Sequence, residues 1–456
     1  MLINLATHAR TIAALTLILL AAYGAGRPLL RAVLPRLADR LAVGTWSVAL
    51  GLLAFGMLLA CLGALGLLHP LAIQSATWAC AAWAVFELSR RDRSESEPSE
   101  GKPSESERRQ DGGKQLQDGG APNETPGDDP PLAPHGWLLG SVLAMAAAAC
   151  LAGFLTALAP VTDGDALCYH LELPKAFLQQ QALVYSPYRE CCTYPLLTEM
   201  WFLWAIALDG PVCASLVHWA LGALLICASV LLAEPFLGRP WALVAGSVIA
   251  LTPGVTNQMT APLNDAAAAA FCALALVAWI RGVLRQEGVG WTILSGTALG
   301  GALGIKYLAL LFAASLAASW LLHVARDRQA LVASLRSAAL VAVLAASVSG
   351  LWYARAAWFR GNPVYPFFHH ALTGEGDPVS RPEKRPLGSH PLALLAAPWE
   401  MTMRPHRFGG RGHQLGAIFL VALPGLLAVR KLSGAGTLLA VAGIYAAVCL
   451  GLRQNV

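Results

Sequence analysis

An all-α polytopic membrane protein is predicted from three observations: long apolar runs, no strand-like alternation within them, and very little charge. Of 456 residues, 56% are hydrophobic and only 13% are charged, with a mean hydropathy of +0.55. Soluble domains carry roughly 25% charge. The runs are about 17–25 residues long, the length a helix needs to cross hydrocarbon, and they lack the period-2 pattern of a barrel strand. In lipid only helices and closed barrels satisfy their own backbone, so these runs are helices, about twelve of them.

The formal net charge is +5, unevenly spread. Residues 90–135 hold seven Lys/Arg and eleven Asp/Glu, which leaves +9 for the rest of the chain. That excess sits at helix ends, where cations meet an anionic cytoplasmic leaflet, and it points away from nucleic acid. Ten cysteines are scattered. Most lie inside apolar runs as small core residues; Cys168, Cys191 and Cys192 lie in a polar loop, and none has metal-site spacing.

Residues 9–26, 41–68 and 70–88 form three runs, an N-terminal membrane extension (1–89). Arg27, Arg31, Arg36 and Arg40 lie between the first two, and Arg90, Arg91 and Arg93 follow the third. The excess of Lys and Arg in cytoplasmic loops then places both clusters inside and the N-terminus outside. Residues 90–135 are rich in Ser, Glu, Gly, Asp and Pro and read as a disordered cytoplasmic linker.

The membrane core begins at 136. Run 136–158 leads outward to a polar loop, 159–210, that carries Asp163, Asp165, Tyr169, His170, Glu172, Lys175, Arg189, Glu190 and Glu199. An amphipathic interfacial helix starting at Asp165 is expected, with Leu167, Leu171, Leu173, Phe177 and Leu178 as its apolar side. Residues 194–209 are too short to span and read as an interfacial or re-entrant helix. Runs 211–233 and 240–256 turn around Arg239, and run 266–280 starts at Asp265 and ends at Arg281 and Arg285. Residues 290–322 are split at Lys306-Tyr307 into two short spans, with Gly296, Gly300, Gly301 and Gly304 allowing close packing. Run 333–352 leads to an outer loop, 353–411, containing Arg355, Asn362 and Tyr365. Runs 412–429 and 433–452 close the chain around Arg430-Lys431.

This sidedness puts Asp165, Asp265, Lys306 and Arg355, from four segments, on the outer face. Ionisable groups at membrane depth are functional candidates by default. The bland alternatives are a hydrated loop, helix-capping Asp and snorkelling Lys and Arg. Convergence of four groups on one face favours a site.

The core resembles the polytopic glycosyltransferases of the GT-C class, and most closely the bacterial relatives of the protein O-mannosyltransferases and lipid A aminoarabinose transferases. Asp165 followed by Tyr169 is similar to the Asp-Glu-x-x-Tyr start of that class's first exoplasmic loop. Tyr194-Pro195-Leu196-Leu197 resembles its Pro-Pro-Leu helix, Phe236-Leu237-Gly238-Arg239 its cytoplasmic turn, and Leu263-Asn264-Asp265 its second acidic site. Gly304-Ile305-Lys306-Tyr307 and Arg355 with Gly361-Asn362-Pro363-Val364-Tyr365-Pro366 resemble further motifs of the class. The likeness covers roughly 136–430. It departs at Ala166, where the class has the second carboxylate of its pair; Asp163 is the nearest substitute.

The resemblance implies a multi-pass protein of the bacterial inner membrane that takes a polyprenyl-phosphate-linked sugar and transfers it to a lipid, glycan or protein acceptor. A single displacement would invert the anomeric centre. Asp165 is the expected base. Lys306 and Arg355 are expected at the leaving phosphate, and Asp265 would position the acceptor or the base. Tyr169, His170, Lys175, Tyr307, Asn362 and Tyr365 complete the candidate substrate contacts. Asp163 and Asp165 would alternatively share a divalent cation, which oxygen ligands suit; metal dependence stays open. From another class, a transporter or lipid flippase predicts paired repeats and ionisable groups near the bilayer midplane, and the acids here lie at helix ends. A last run that closes so near residue 456 predicts a shortened or partial GT-C architecture whose final two runs pack more loosely than 211–233 or 266–280.

Overall fold

The computed structural model describes residues 2–96, 134–376, 387, 395–408, 414–422, 424 and 435–452. Residues 97–133, most of the expected linker, lie outside them, as do 412, 413, 423 and 425–429 of run 412–429 and Arg430-Lys431. Among the described residues every regular element is helical: α1 Leu2–Val33, α2 Arg40–Ala64, α3 Pro70–Ser96, α4 Gly136–Ala157, α5 Glu172–Gln180, α6 Leu197–Leu208, α7 Pro211–Ala250, α8 Pro253–Gln258, α9 Asp265–Trp279, α10 Val289–Ile305, α11 Leu308–Arg326, α12 Leu331–Arg360, α13 His369–Thr373, α14 Ala397–Met403, α15 Ala417–Ala422 and α16 Ala435–Leu452. Among the described residues eight helices are long and apolar enough to cross a membrane. This is a multi-pass, all-α membrane protein.

The two expected runs around Arg239 form one hairpin inside α7. Gly238, with φ 72°, breaks the helix between Pro235 and Pro240, a left-handed position that glycine adopts without strain. The limbs fold back on each other so closely that a Cβ on Gly246 would lie 2.5 Å from Val230 Cγ2. The expected break at Lys306 is also present. There the backbone turns extended between α10 and α11. On α10, a Cβ on Gly296 or Gly300 would come within 2.8 Å of Leu344 or 2.6 Å of Val348 on α12, so these glycines set the close approach of the two helices.

The ends of the helices separate by charge. Asp39 caps α2 by accepting from Ala42 N (2.7 Å) and also accepts from Arg239 (3.0 Å), which in turn reaches Glu234 at 2.7 Å. Arg281, Arg285 and Glu287 line the same 310 Å³ recess as Asp39 and Glu234. The Arg-bearing turns thus meet at one end of the bundle, and Asp265, Lys306 and Tyr307 lie at the other.

Helix α6 sits at that second end and is held by the three N-terminal helices. Trp201 Nε1 donates to Leu52 O (2.7 Å), Trp204 Nε1 to Thr77 Oγ1 (2.8 Å), and Trp204 stacks on Phe55 at 4.0 Å. Arg10 and Thr11 grip Asp209 just past its C-terminus, at 2.5 and 2.7 Å. At 12 residues it is about 18 Å long, too short to cross about 30 Å of hydrocarbon. The sequence expectation of a non-spanning segment holds in length, but the surroundings differ. Leu197 to Ala205 are all buried, so protein, not lipid headgroups, encloses this helix.

Candidate active site

The polar loop after α4 opens with a wide π-turn, Ala166–His170, closed by Leu171 N donating to Ala166 O at 2.9 Å. Asp163 Oδ1 accepts from Ala166 N at 3.0 Å and caps the turn. Asp165 beside it is exposed and makes no hydrogen bond or ion pair among the described residues. The expected apolar face is present in Leu171, Leu173 and Phe177, all buried, with Leu178 half-buried. Leu167 is a correction, being 52% exposed. The extra residue in a π-turn rotates it off the face that regular α-helical periodicity assigns it. Lys175 is also exposed, on the outer side of α5.

Facing this loop, Lys306 Nζ forms an ion pair with Asp265 Oδ1, both side chains half-buried. The pair follows from the break between α10 and α11, which leaves Lys306 opposite the first residue of α9. Tyr307 is a hub. Its hydroxyl points at Thr193 O and Pro363 O, each at 3.4 Å, and its ring meets Tyr194, Tyr353 and Phe367 edge-on. Burial raises its hydroxyl above the ordinary range, and the neighbouring Tyr353 and Tyr194 add to the shift. Burial also raises Tyr169, followed by the negative charges of Glu199, Asp165 and Asp265. Tyr169 therefore stays protonated, a hydrogen-bond donor lying among three carboxylates from three segments. Asp165 and Asp265, a hundred residues apart in sequence, share one electrostatic neighbourhood.

Beneath the π-turn, His170 Nδ1 meets Glu199 Oε1 at 2.6 Å, both side chains buried. His218 of α7 is fully buried on the far side of Phe202, which meets both imidazoles edge-on with centroids 6.2 Å away. Among the described residues neither His218 ring nitrogen has a hydrogen-bond partner, although the backbone at Ala261 and Gln258 lies near. Glu199 and His218 are absent from the sequence-derived site. An ionisable residue inside an apolar run was the available signal for His218.

Three candidates are occupied elsewhere. Arg355 lies on α12, which runs on to Arg360, and not in the outer loop assigned from sequence. It is 8% exposed, and its guanidinium donates to Cys192 O and, at 2.8 Å, to Val184 O. Asn362 is buried and closes its own turn, with Nδ2 donating to Phe367 O and Oδ1 accepting from Val364 N, both 2.8 Å. Tyr365 is buried edge-on against His369, and Arg360 lies over its ring. These residues shape the loop that borders the site.

Behind Lys306-Tyr307, an apolar cavity of about 560 Å³ lies between α10, α11 and α12, lined by Leu303, Leu310, Leu316, Val341, Ala345 and Tyr353 among others. Trp320 Nε1 donating to Ser334 Oγ at 3.0 Å closes the helices together at the Arg end. Tyr353, which donates to Leu303 O at 3.2 Å, marks the other. Among the described residues, no three His, Cys, Asp or Glu side chains cluster as a metal site.

Residues 198–353 match the dolichyl-phosphate-mannose-protein mannosyltransferase family. The match spans roughly a third of the chain. No curated protein and no solved structure matches it. The mannosyltransferase match agrees with the GT-C resemblance and supports a membrane glycosyltransferase of that type. It contains Glu199, His218, Asp265, Lys306 and Tyr307, and it begins downstream of Asp163, Asp165, Tyr169 and His170.

Proposed function

We propose that the protein is a glycosyltransferase of the cell membrane that moves a sugar from a polyprenyl phosphate to a lipid, glycan or protein acceptor at the exoplasmic face, inverting the anomeric carbon. The observation that carries this reading is the meeting, at one end of the bundle, of an exposed carboxylate and a cation–carboxylate pair, with an apolar cavity whose lining includes Tyr353, the ring partner of Tyr307. At about 560 Å³ the cavity falls within the roughly 300–1,000 Å³ of ligand pockets, and its hydrocarbon lining suits part of a polyprenyl tail.

In this reading the tail lies between α11 and α12, with the phosphate near Lys306. The Lys306 ammonium is a compact point charge held in place by Asp265, and it offsets negative charge developing on the leaving phosphate. Asp165, unpaired and exposed, accepts the acceptor's proton as the new C–O bond forms. Tyr169 donates a hydrogen bond to donor or acceptor. Arg355, Asn362 and Tyr365 shape the rim. Asp163 caps the turn; the alternative, in which Asp163 and Asp165 share a divalent cation, is separated from this one by adding a chelator to the assay, which leaves transfer unchanged if Asp165 acts as a free base.

The test is incubation of the purified, reconstituted protein with radiolabelled polyprenyl-phosphate sugars. Label leaving the polyprenyl phosphate for an acceptor is the expected result. Labelled lipid crossing the bilayer with no transfer would sink the proposal in favour of a flippase. Sidedness is checked separately: an impermeant thiol reagent should reach cysteines introduced in 362–376 from outside and those introduced in 97–133 only from inside.

A further inference from the structure

We infer that Glu199 is a positioning residue: through His170 it fixes the turn that presents Asp165 and Tyr169. The inference rests on the transferase reading above for its catalytic consequence, though not for its structural one.

The π-turn is an uncommon conformation that recurs at functional sites, and something must hold it in place. Of its five residues, Leu167 and Cys168 are exposed, Tyr169 is half-buried, and only Ala166 and His170 point fully inward. His170 is therefore the turn's one fully buried polar side chain. It lies against Tyr169, ring centroids 3.9 Å apart, and its Nδ1 meets Glu199 at 2.6 Å.

Glu199 is a fixed point. It has no exposed surface and lies in the first turn of α6, where a helix N-terminus favours negative charge. Helix α6 is itself anchored through Trp201, Trp204 and the Arg10–Asp209 contact. The second carboxylate oxygen, Oε2, has no hydrogen-bond partner among the described residues. A buried carboxylate bound through one oxygen is a poor way to gain stability, since apolar residues of the same volume often serve as well or better. What the pair supplies is direction. A single short hydrogen bond fixes the azimuth of the imidazole, and with it the register of a turn whose next exposed carboxylate is Asp165.

The test uses the full-length protein with the double variant Glu199→Leu/His170→Phe, which removes both polar partners and keeps aromatic packing against Tyr169 and Phe202. Its thermal midpoint should match or exceed the parent's. Its kcat should fall by up to about 10²-fold, the scale of a misplaced catalytic group, with KM for the donor unchanged. Glu199→Gln, whose amide oxygen still accepts from Nδ1, should recover most of that loss. In an Asp165→Asn background the double change should cost much less than in the parent, because only the Tyr169 contact is left to misplace.

A second readout needs no activity. Cys168 is exposed on the same turn, and its alkylation by an impermeant maleimide, resolved by mass spectrometry, should quicken in the double variant. Parental kcat together with parental Cys168 reactivity would overturn the inference. If no form transfers sugar yet Cys168 responds, the transferase reading fails and the hold on the turn stands. Should the double variant fail to fold, Glu199→Gln against Glu199→Leu carries the test, and equal activity of the two overturns it.

Discussion

The two carboxylates at the Lys306 end of the bundle, Asp165 and Asp265, sit in different settings. Asp165 projects from a loop turn, exposed and without an ion-pair partner among the described residues. Asp265 starts a helix, is half-buried, and holds the Lys306 ammonium. A group that must take a proton from an incoming hydroxyl needs a free lone pair and access. A group that must place a cation needs a partner and a rigid mount. In the proposed mechanism, identical chemistry in two settings would supply a base on one side of the site and an electrostatic anchor on the other.

The largest effect should come from Asp165→Asn, which keeps shape and removes the base. Transfer should fall about 10²–10⁴-fold with folding and membrane insertion intact. Full activity in Asp165→Asn alongside its loss in Asp163→Asn would exchange the roles of the two residues. Next, Lys306→Met removes the cation and strands Asp265. A loss in kcat of about 10²-fold is expected, the scale of deleting one preorganised transition-state contact, and an unchanged kcat would mean that Lys306 does not serve the leaving phosphate.

Asp265→Asn separates anchor from base most sharply. It leaves Lys306 charged but less constrained, so kcat should fall only about tenfold, ~1.4 kcal/mol of transition-state stabilisation. A loss as deep as that of Asp165→Asn would break the comparison and make Asp265 the base. The smallest effect belongs to Asp163→Ala. It removes the cap on Ala166 N, worth about 1 kcal/mol where caps have been measured, so a lowered thermal midpoint with activity within about threefold is expected. Activity that falls with that variant and returns on adding excess divalent cation would identify Asp163 as a metal ligand.

A second contrast shows why part of the fold could not be read in advance. Helices α4 and α9 are both nearly unbroken apolar sequence. In α4 only Ala146, Gly153 and Ala157 are buried among 22 residues, whereas ten of the 15 in α9 are. The last run behaves like α4, since within 436–449 only Val441 is buried. That is the looser packing expected of 433–452; in run 412–429 the described helix Ala417–Ala422 likewise has no buried residue. Water distinguishes an outer helix from an inner one by demanding a polar face. Lipid makes no such demand, so composition alone cannot rank these helices by depth.

What the sequence determined by itself is local and additive. Apolar length gave the helices, Arg placement gave the ends at which they turn, and Arg239 and Lys306 marked two of the breaks, because hydration cost and backbone preference act residue by residue. The resemblance drawn from short motifs agrees with the family match over 198–353. Only the tertiary structure decided which charges meet. Lys306 finds Asp265 across 41 residues, His170 finds Glu199 across 29, and Arg355 is drawn to carbonyls 163 and 171 residues away. A charged side chain at membrane depth must find a partner, and sequence shows the need without naming who meets it. The partner is chosen by how closely α10 approaches α12, by the enclosure of α6 within α1–α3, and by the π-turn that sends His170 inward and leaves Asp165 outside.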